Sequence, residues 1–265
     1  MIRSEKKIAL VGNGNLAFHL AKRLWEIGVG ISGLIVRNSS RAEAFKPFLS
    51  EGCVISDSSN FADHEWDIIL IAVSESATSQ VIESNEFPPE ATIVHTSGSQ
   101  SIDIFKNTGV KNFGVLYPLQ TFSKEKEIDF SEVPVFIEAN SEGSLKMISE
   151  LAFLLSEKVS ELSSEQRLKV HMAAVIACNF SNALYAIAEN QLHGVGLDLD
   201  TIAPLIQETT QKAIALKPAI AQTGPASRGD LETMNKHLQL LDGSPEIKSI
   251  YEQLSKLILD TKLLF

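Results

Sequence analysis

The sequence predicts an α/β Rossmann doubly wound sheet followed by an all-α C-terminal domain. Three observations carry this. Up to about Ser163, short apolar runs alternate with polar, helix-compatible stretches. The first apolar run meets a glycine-rich turn that opens a helix. From Ser164 onward no convincing strand remains, and apolar residues recur at helical spacing. A chain of 265 residues suits one large α/β domain or two units of unequal size.

Residues 7–12 read as a strand, 16–27 as a helix and 31–36 as a second strand. Residues 67–73 form the most continuous apolar run, and unbroken apolarity suits a strand buried on both faces of a parallel sheet. Residues 92–96, 113–116 and 133–137 repeat the pattern, giving βαβ units with right-handed crossovers. Residues 1–162 are therefore expected to form a nucleotide-binding domain, and 163–265 a helical substrate and dimerisation domain. Its first helix spans 164–194, with Ser163 and Gln166 as a capping box. A second starts near Asp200 as N-cap and ends at Lys217 before Pro218, and a third covers 245–263. Residues 223–230 are rich in turn formers.

Composition narrows the function. Thirty-three acids against 23 bases leave a net charge of −10, which disfavours a protein that coats nucleic-acid phosphates. Hydrophobic residues at 44% and charged residues at 21% are ordinary for a soluble globular chain. No apolar run approaches the roughly 18 residues of a membrane span, and residues 1–7 run into the first strand with no signal-peptide core. Cys53 and Cys178 are too few and too far apart for zinc or a disulfide framework. The expectation is a cytoplasmic protein without metal, nucleic acid or membrane.

The turn Gly12-Asn13-Gly14-Asn15-Leu16-Ala17 is a GxGxxA between strand and helix. Gly12 allows the tight turn, Gly14 lets a pyrophosphate approach the backbone, and Ala17 lets the helix pack on the strand. The helix N-terminus offers unpaired N–H groups to phosphate. After the second strand, an NAD site expects an acid. Here Arg37, Asn38, Ser39, Ser40 and Arg41 follow, with no acid before Glu43. Guanidinium groups bind phosphate bidentately, so the pattern favours NADP(H); alternatively the loop is solvated and Ser40 caps the next helix. Ala72, Val73 and Ser74 end a strand at the carboxyl edge, where ligands lie in such sheets. Ser97, Gly98 and Ser99 end the next; Ser97 and Ser99 either meet ligand or cap a helix near Ile102. His95, inside the strand, reads as packed or hydrogen-bonded. Tyr117 and Gln120 follow a strand at the same edge and could line the pocket.

The segments at residues 95–98 (His-Thr-Ser-Gly), 117–122 (Tyr-Pro-Leu-Gln-Thr-Phe), 171–174 (His-Met-Ala-Ala) through 179–182 (Asn-Phe-Ser-Asn), and 224–230 (Gly-Pro-Ala-Ser-Arg-Gly-Asp) carry a resemblance. Over nearly the whole chain they resemble the bacterial Rossmann-like proteins with a C-terminal DUF2520 domain, labelled NADP oxidoreductases of the coenzyme-F420-dependent type. More distantly the plan is similar to pyrroline-5-carboxylate reductase, ketopantoate reductase and the β-hydroxyacid dehydrogenases. The resemblance implies a reductase and a homodimer built on the helical domain; it supplies no substrate.

At 100° per residue, His171, Cys178 and Asn182 fall within about 40° of one another, with Asn179 about 60° further round. Small and apolar neighbours suggest a largely buried helix, whose His and Asn need partners. In the ketopantoate-reductase plan the corresponding helix presents a lysine and an asparagine. No lysine lies on this face, since Lys169 precedes it by two residues, so His171 is the candidate proton donor. The alternative is a structural His–Asn network. Arg228 either holds a substrate carboxylate or a phosphate, or pairs with Asp230 to shape the loop. His193 and His237 read as surface or helix-end residues without a role.

Together these readings give NADPH-dependent hydride transfer to a small keto acid or imine, with Ser97, His171, Asn179 and Asn182 around the reacting carbon. The rival is a non-catalytic dinucleotide-binding sensor or scaffold. Use of F420 itself is not separable from a generic second-substrate cleft.

Overall fold

The computed structural model describes residues 6–56 and 61–261. The leader reading of residues 1–5 and the end of the helix drawn to Leu263 lie outside them. Eight strands form one sheet in the order β3-β2-β1-β4-β5-β6-β7-β8. They are β1 (Ile8–Val11), β2 (Ile31–Ile35), β3 (Leu49–Ser56), β4 (Ile68–Ile71), β5 (Thr92–His95), β6 (Asn112–Pro118), β7 (Val135–Ala139) and β8 (Val159–Glu161). Only β7 runs antiparallel to its neighbour β6; every other pair is parallel. The sequence expectation named neither β3 nor β8. β3 is half-exposed and interrupted by Glu51 and Gly52, and β8 has three residues, so neither presents an apolar run.

β1, β4 and β5 are buried along their whole length, as unbroken apolarity requires. Alternate residues feed two cores, one on each face. Ile8, Leu10, Ile68 and Leu70 pack with α1 (Asn15–Glu26) and α3 (Glu142–Leu155). Ala9, Val11, Ile69 and Ile71 pack with Phe61, Trp66, Phe105 and Ile82 of α2 (Glu75–Glu83). The two-residue period of an extended strand makes this division, and each large aliphatic side chain so enclosed contributes about 1.5–3 kcal/mol.

The chain divides into two compact units, the first ending at Ala174 and the second starting at Val175. Helix α4 (Ser164–Ala174) belongs to the first. The Ser163–Gln166 capping box forms: Ser163 N donates to Gln166 Oε1 at 2.9 Å, and Gln166 N to Ser163 Oγ at 3.3 Å. The second unit holds a π-helical turn (Val175–Asn179), α5 (Phe180–His193), α6 (Ala203–Leu216), α7 (Pro218–Ala221), α8 (Pro225–Arg228), α9 (Leu231–Leu240) and α10 (Pro245–Thr261).

Three local expectations change here. Asp200 sits inside a 3₁₀ turn, Leu199–Ile202, and does not cap α6. Asp230 makes no ion pair with Arg228; it caps the unforeseen helix α9, accepting from Thr233 N at 3.1 Å and Thr233 Oγ1 at 2.8 Å. The helix from Ser164 to His193 is exposed rather than buried, with Met172, Ile176 and Phe180 each more than half accessible. It is long and apolar enough to cross a membrane by length and composition, a property that contiguous-run reading missed because Lys169, His171 and Asn179 interrupt it.

Candidate nucleotide and catalytic site

Gly12 has φ of +116°, and a Cβ on it would lie 2.3 Å from the carbonyl oxygen of Ala72. Only glycine fits, both for conformation and for space. The turn therefore seats directly against Ala72 and Val73 at the end of β4, while Gly12 N donates to Ile35 O at 2.9 Å. At Gly14, by contrast, nothing lies within 4 Å of a built Cβ. The space in front of the turn is open. Gly14 is the N-cap of α1 and supplies no side chain, so the first N–H groups of the helix have no side-chain cap. Asn15 is otherwise engaged, its Nδ2 donating to Phe122 O at 2.8 Å, and Asn13 O accepts from Lys124 Nζ at 3.1 Å.

After β2, Arg37 and Arg41 are both exposed. The cap of the following 3₁₀ segment (Ser39–Phe48) is Asn38 rather than Ser40: Asn38 Oδ1 accepts from Ser40 N at 3.0 Å and Ser40 Oγ at 2.7 Å. The site thus has an uncapped helix end, open space at Gly14 and two guanidinium groups where an acid would read NAD. These residues fit a 2′-phosphorylated dinucleotide.

Further along the carboxyl edge, a second cluster forms around Gly98. The phenol oxygen of Tyr117, at the end of β6, lies 3.0 Å from His171 Nδ1 on α4. A Cβ on Gly98 would fall 2.6 Å from Tyr117 Cζ and 2.7 Å from His171 Nδ1, so glycine is what lets the strand-end turn pass beneath the pair. Burial pushes the Tyr117 phenol up to about 12, reinforced by the negative charge of Glu75, so it remains protonated. Glu75 opens α2. Burial alone would raise its pKa, but donation from Ser97 and Ser99, with His171 nearby, holds it below the usual value.

Ser97 is buried, and its hydroxyl donates to Glu75 at 2.6 Å while accepting from Gln100 N at 3.0 Å and Ser99 N at 3.2 Å. The cap of the 3₁₀ segment Ile102–Phe105 is Ser101, not Ser97 or Ser99. His95 is wholly enclosed; desolvation, helped by the charge of Arg167, drops it to about 3 and keeps it neutral, with Nδ1 accepting from Ser97 N at 3.2 Å. It is a packed histidine.

Sequence reasoning did not single out Glu75 or Arg167. Arg167 is 1% exposed, pairs with Glu138 of β7, and donates to Gln100 O at 2.6 Å and Ser164 Oγ at 3.2 Å. Glu138 also accepts from Ser164 N at 2.9 Å. Arg167 stands one helical turn before His171, which was the available signal. Asn179, Asn182 and Arg228 are exposed residues of the second unit. The turn at Val175–Asn179 is π-helical and bonds i to i+5, a pitch that a projection at 100° per residue does not describe. Gln120 is exposed and accepts from Thr121 N at 2.8 Å. His237 Nδ1 meets Tyr251 Oη at 2.8 Å, joining α9 to α10. Among the described residues no group of three or more His, Cys, Asp or Glu gathers as for a metal. A recess of about 450 Å³ bordered by Asp63, Trp66, Pro88 and Glu90 lies at the opposite, amino edge of the sheet.

A glycine turn on an uncapped helix end, an arginine loop after β2 and a polar cluster at the same sheet edge define a Rossmann-type NADP-dependent oxidoreductase. The comparisons place it within that class. The NADP oxidoreductase, coenzyme F420-dependent family matches residues 7–97, and the DUF2520 family matches residues 133–258. A protein from Bacteroides fragilis named as an NADP oxidoreductase is 34% identical over 97% of this chain and 98% of its own, with a TM-score of 0.84. The chain belongs to this DUF2520 family of NADP oxidoreductases, whose cofactor is NADP(H). A reductive aminase from Aspergillus terreus, in complex with NADPH and ethyl-5-oxohexanoate, shares the fold at 14% identity and a TM-score of 0.69, over 96% of this chain and 93% of its own. An imine reductase from Myxococcus stipitatus in complex with NADP+ does so at 16% and 0.66, over 96% and 92%. No curated protein matches the chain.

Proposed function

We propose that the chain reduces a small keto acid or imine with NADPH, and that His171 supplies the proton. The carrying observation is the Tyr117–His171 pair over Gly98, at the same sheet edge as the nucleotide turn. Gly12, Asn13, Gly14, Asn15 and Leu16, with Ala72, Val73 and Ser74, would border the dinucleotide; Arg37, Asn38, Ser39 and Arg41 would take its 2′-phosphate. NADPH when bound would supply the hydride. Protonated His171 donates Nδ1–H to the Tyr117 oxygen and keeps its second proton at Nε2, where it can pass to the substrate oxygen or nitrogen. Ser97 donates to Glu75 and holds its carboxylate at the same sheet edge. The solved reductive aminase and imine reductase, though distant, support an imine or carbonyl substrate.

The test is His171→Ala assayed with NADPH against keto acids and cyclic imines. Turnover should fall about 10²–10⁴-fold with NADPH affinity unchanged. A large drop in melting temperature with the rate per folded molecule intact would instead make His171 structural. Binding of NADPH without reduction across the panel would favour a sensor or scaffold.

The exposed apolar side chains after Ser164 support a homodimer as the working form. Met172, Ile176, Phe180, Leu205, Ile214 and Leu240 are 54–81% accessible in the single chain. We assign this surface to a second copy rather than to a membrane, because the buried Arg167 fastens the start of the same helix to the sheet. Light scattering should give twice the chain mass; a concentration-independent monomer, or co-sedimentation with vesicles, would overturn the assignment.

A further inference from the structure

We propose that Lys124 is a third cation of the cofactor site and that it binds the 2′-phosphate distinguishing NADPH from NADH. Lys124 comes from the segment after β6, far in sequence from the turn and from the arginine loop. Three consecutive residues of that segment are stitched to the start of α1. Phe122 O accepts from Asn15 Nδ2 at 2.8 Å, Ser123 O meets His19 Nε2 at 2.9 Å, and Lys124 Nζ donates to Asn13 O at 3.1 Å. His19 is itself buried and lies against Phe122, with ring centroids 5.4 Å apart and the planes tilted by 39°. The strap is thus held at its base, not draped over the surface.

The ammonium lies 5.6 Å from the ring centroids of both Phe18 and Phe45. Phe18 belongs to α1, and Phe45 to the 3₁₀ segment that also carries Arg41. Lys124 therefore stands at the seam between the dinucleotide turn and the arginine loop, the corner where a Rossmann site takes the ribose of the adenosine half. Among the described residues no carboxylate lies within salt-bridge distance of it; neighbouring Glu125 bonds instead to Ser123. Asn13 O uses one of its three N–H donors, and the ring faces favour the cation without neutralising it. A charge held in place in this way gives up little freedom on meeting a phosphate that carries nearly two negative charges.

The inference rests on the nucleotide site alone and stands even if the chemistry proposed for His171 fails. Its test is the dissociation constants of NADPH and NADH, measured by nicotinamide fluorescence, for the unmodified protein, Lys124→Met and Lys124→Arg. Methionine keeps the unbranched stem against Phe18 and Phe45 and removes only the charge. NADPH should bind Lys124→Met about tenfold more weakly while NADH changes less than about twofold, and Lys124→Arg should retain most of the preference. Equal weakening of both cofactors would make Lys124 a pyrophosphate or scaffold contact, and unchanged NADPH affinity would remove it from the site; either overturns the proposal. Calorimetric titration with 2′-phospho-AMP against AMP gives the same comparison without the nicotinamide. A variant that fails to fold binds neither nucleotide, and Lys124→Arg then decides by whether it keeps the preference.

Discussion

Arg167, almost wholly enclosed, donates to the carboxylate of Glu138, and through this pair the helix that carries His171 is fastened to β7. The pair shares its groups with Ser164 and Gln100 O, so the first turns of α4, strand β7 next to the edge of the sheet and the turn after β5 meet at one ion pair.

Breaking that pair should be expensive. Arg167→Met leaves the carboxylate of Glu138, 16% exposed, without its counter-ion and should destabilise the fold by about 3 kcal/mol. The double variant Arg167→Met/Glu138→Gln should recover part of this. Urea denaturation of the two single variants and the double variant measures the coupling; strictly additive losses would show that the pair acts as two separate groups.

Gly98→Ala places a methyl group where Tyr117 and His171 now meet. The pair should separate, so turnover should fall toward that of His171→Ala while NADPH affinity holds, with a packing penalty of about 1–3 kcal/mol. Turnover equal to the unmodified protein would show that the contact is dispensable.

His95 sets an acid limit. Its pKa in the folded chain, about 3, lies below the ordinary 6.5, so the folded state holds the neutral ring. The stability this represents is complete above pH 6.5 and declines as pH falls toward 3, by roughly 1 kcal/mol per pH unit. Glu75, with a lowered pKa, has the same sign but acts only below about pH 4.5. Urea midpoints between pH 7 and 4.5 should therefore fall in the unmodified protein and flatten in His95→Gln. An identical slope in both would assign the acid sensitivity elsewhere.

Replacing Arg37 and Arg41 together by alanine should erase most of the preference for NADPH over NADH, at about 1–3 kcal/mol for each charged hydrogen bond lost. Fluorescence titration checks it, and equal affinity for both cofactors in the unmodified protein would refute the reading of the loop.

The doubly wound plan was legible because β1, β4 and β5 are apolar on both faces and because strand, GxGxxA and helix are contiguous. The capping box at Ser163 was legible for the same reason: its partners stand three residues apart. The candidate site was only partly so. Tyr117 and His171 were each noticed, but sheet topology, not spacing, makes them neighbours across 54 positions. Glu75 and Arg167 were not singled out, because what marks them is set by the fold: Glu75 by its bonds from Ser97 and Ser99, Arg167 by burial and its pair with Glu138. Periodicity misled within the helix after Ser164, where a π turn breaks the assumed pitch and where apolar residues are exposed rather than enclosed. Helix α9 was lost among the glycine and proline that precede it.

The contrast between Gly12 and Gly14 also marks where this protein can change. Gly12 is wedged against the end of β4, so altering it would disturb the sheet before it disturbed a ligand, whereas Gly14 borders open space and Arg37 and Arg41 are exposed. Selection or engineering for a different dinucleotide therefore has a fixed hinge and a free rim. If Arg37 and Arg41 read the 2′-phosphate as proposed, variation at the rim would retune the choice of cofactor without renegotiating the fold.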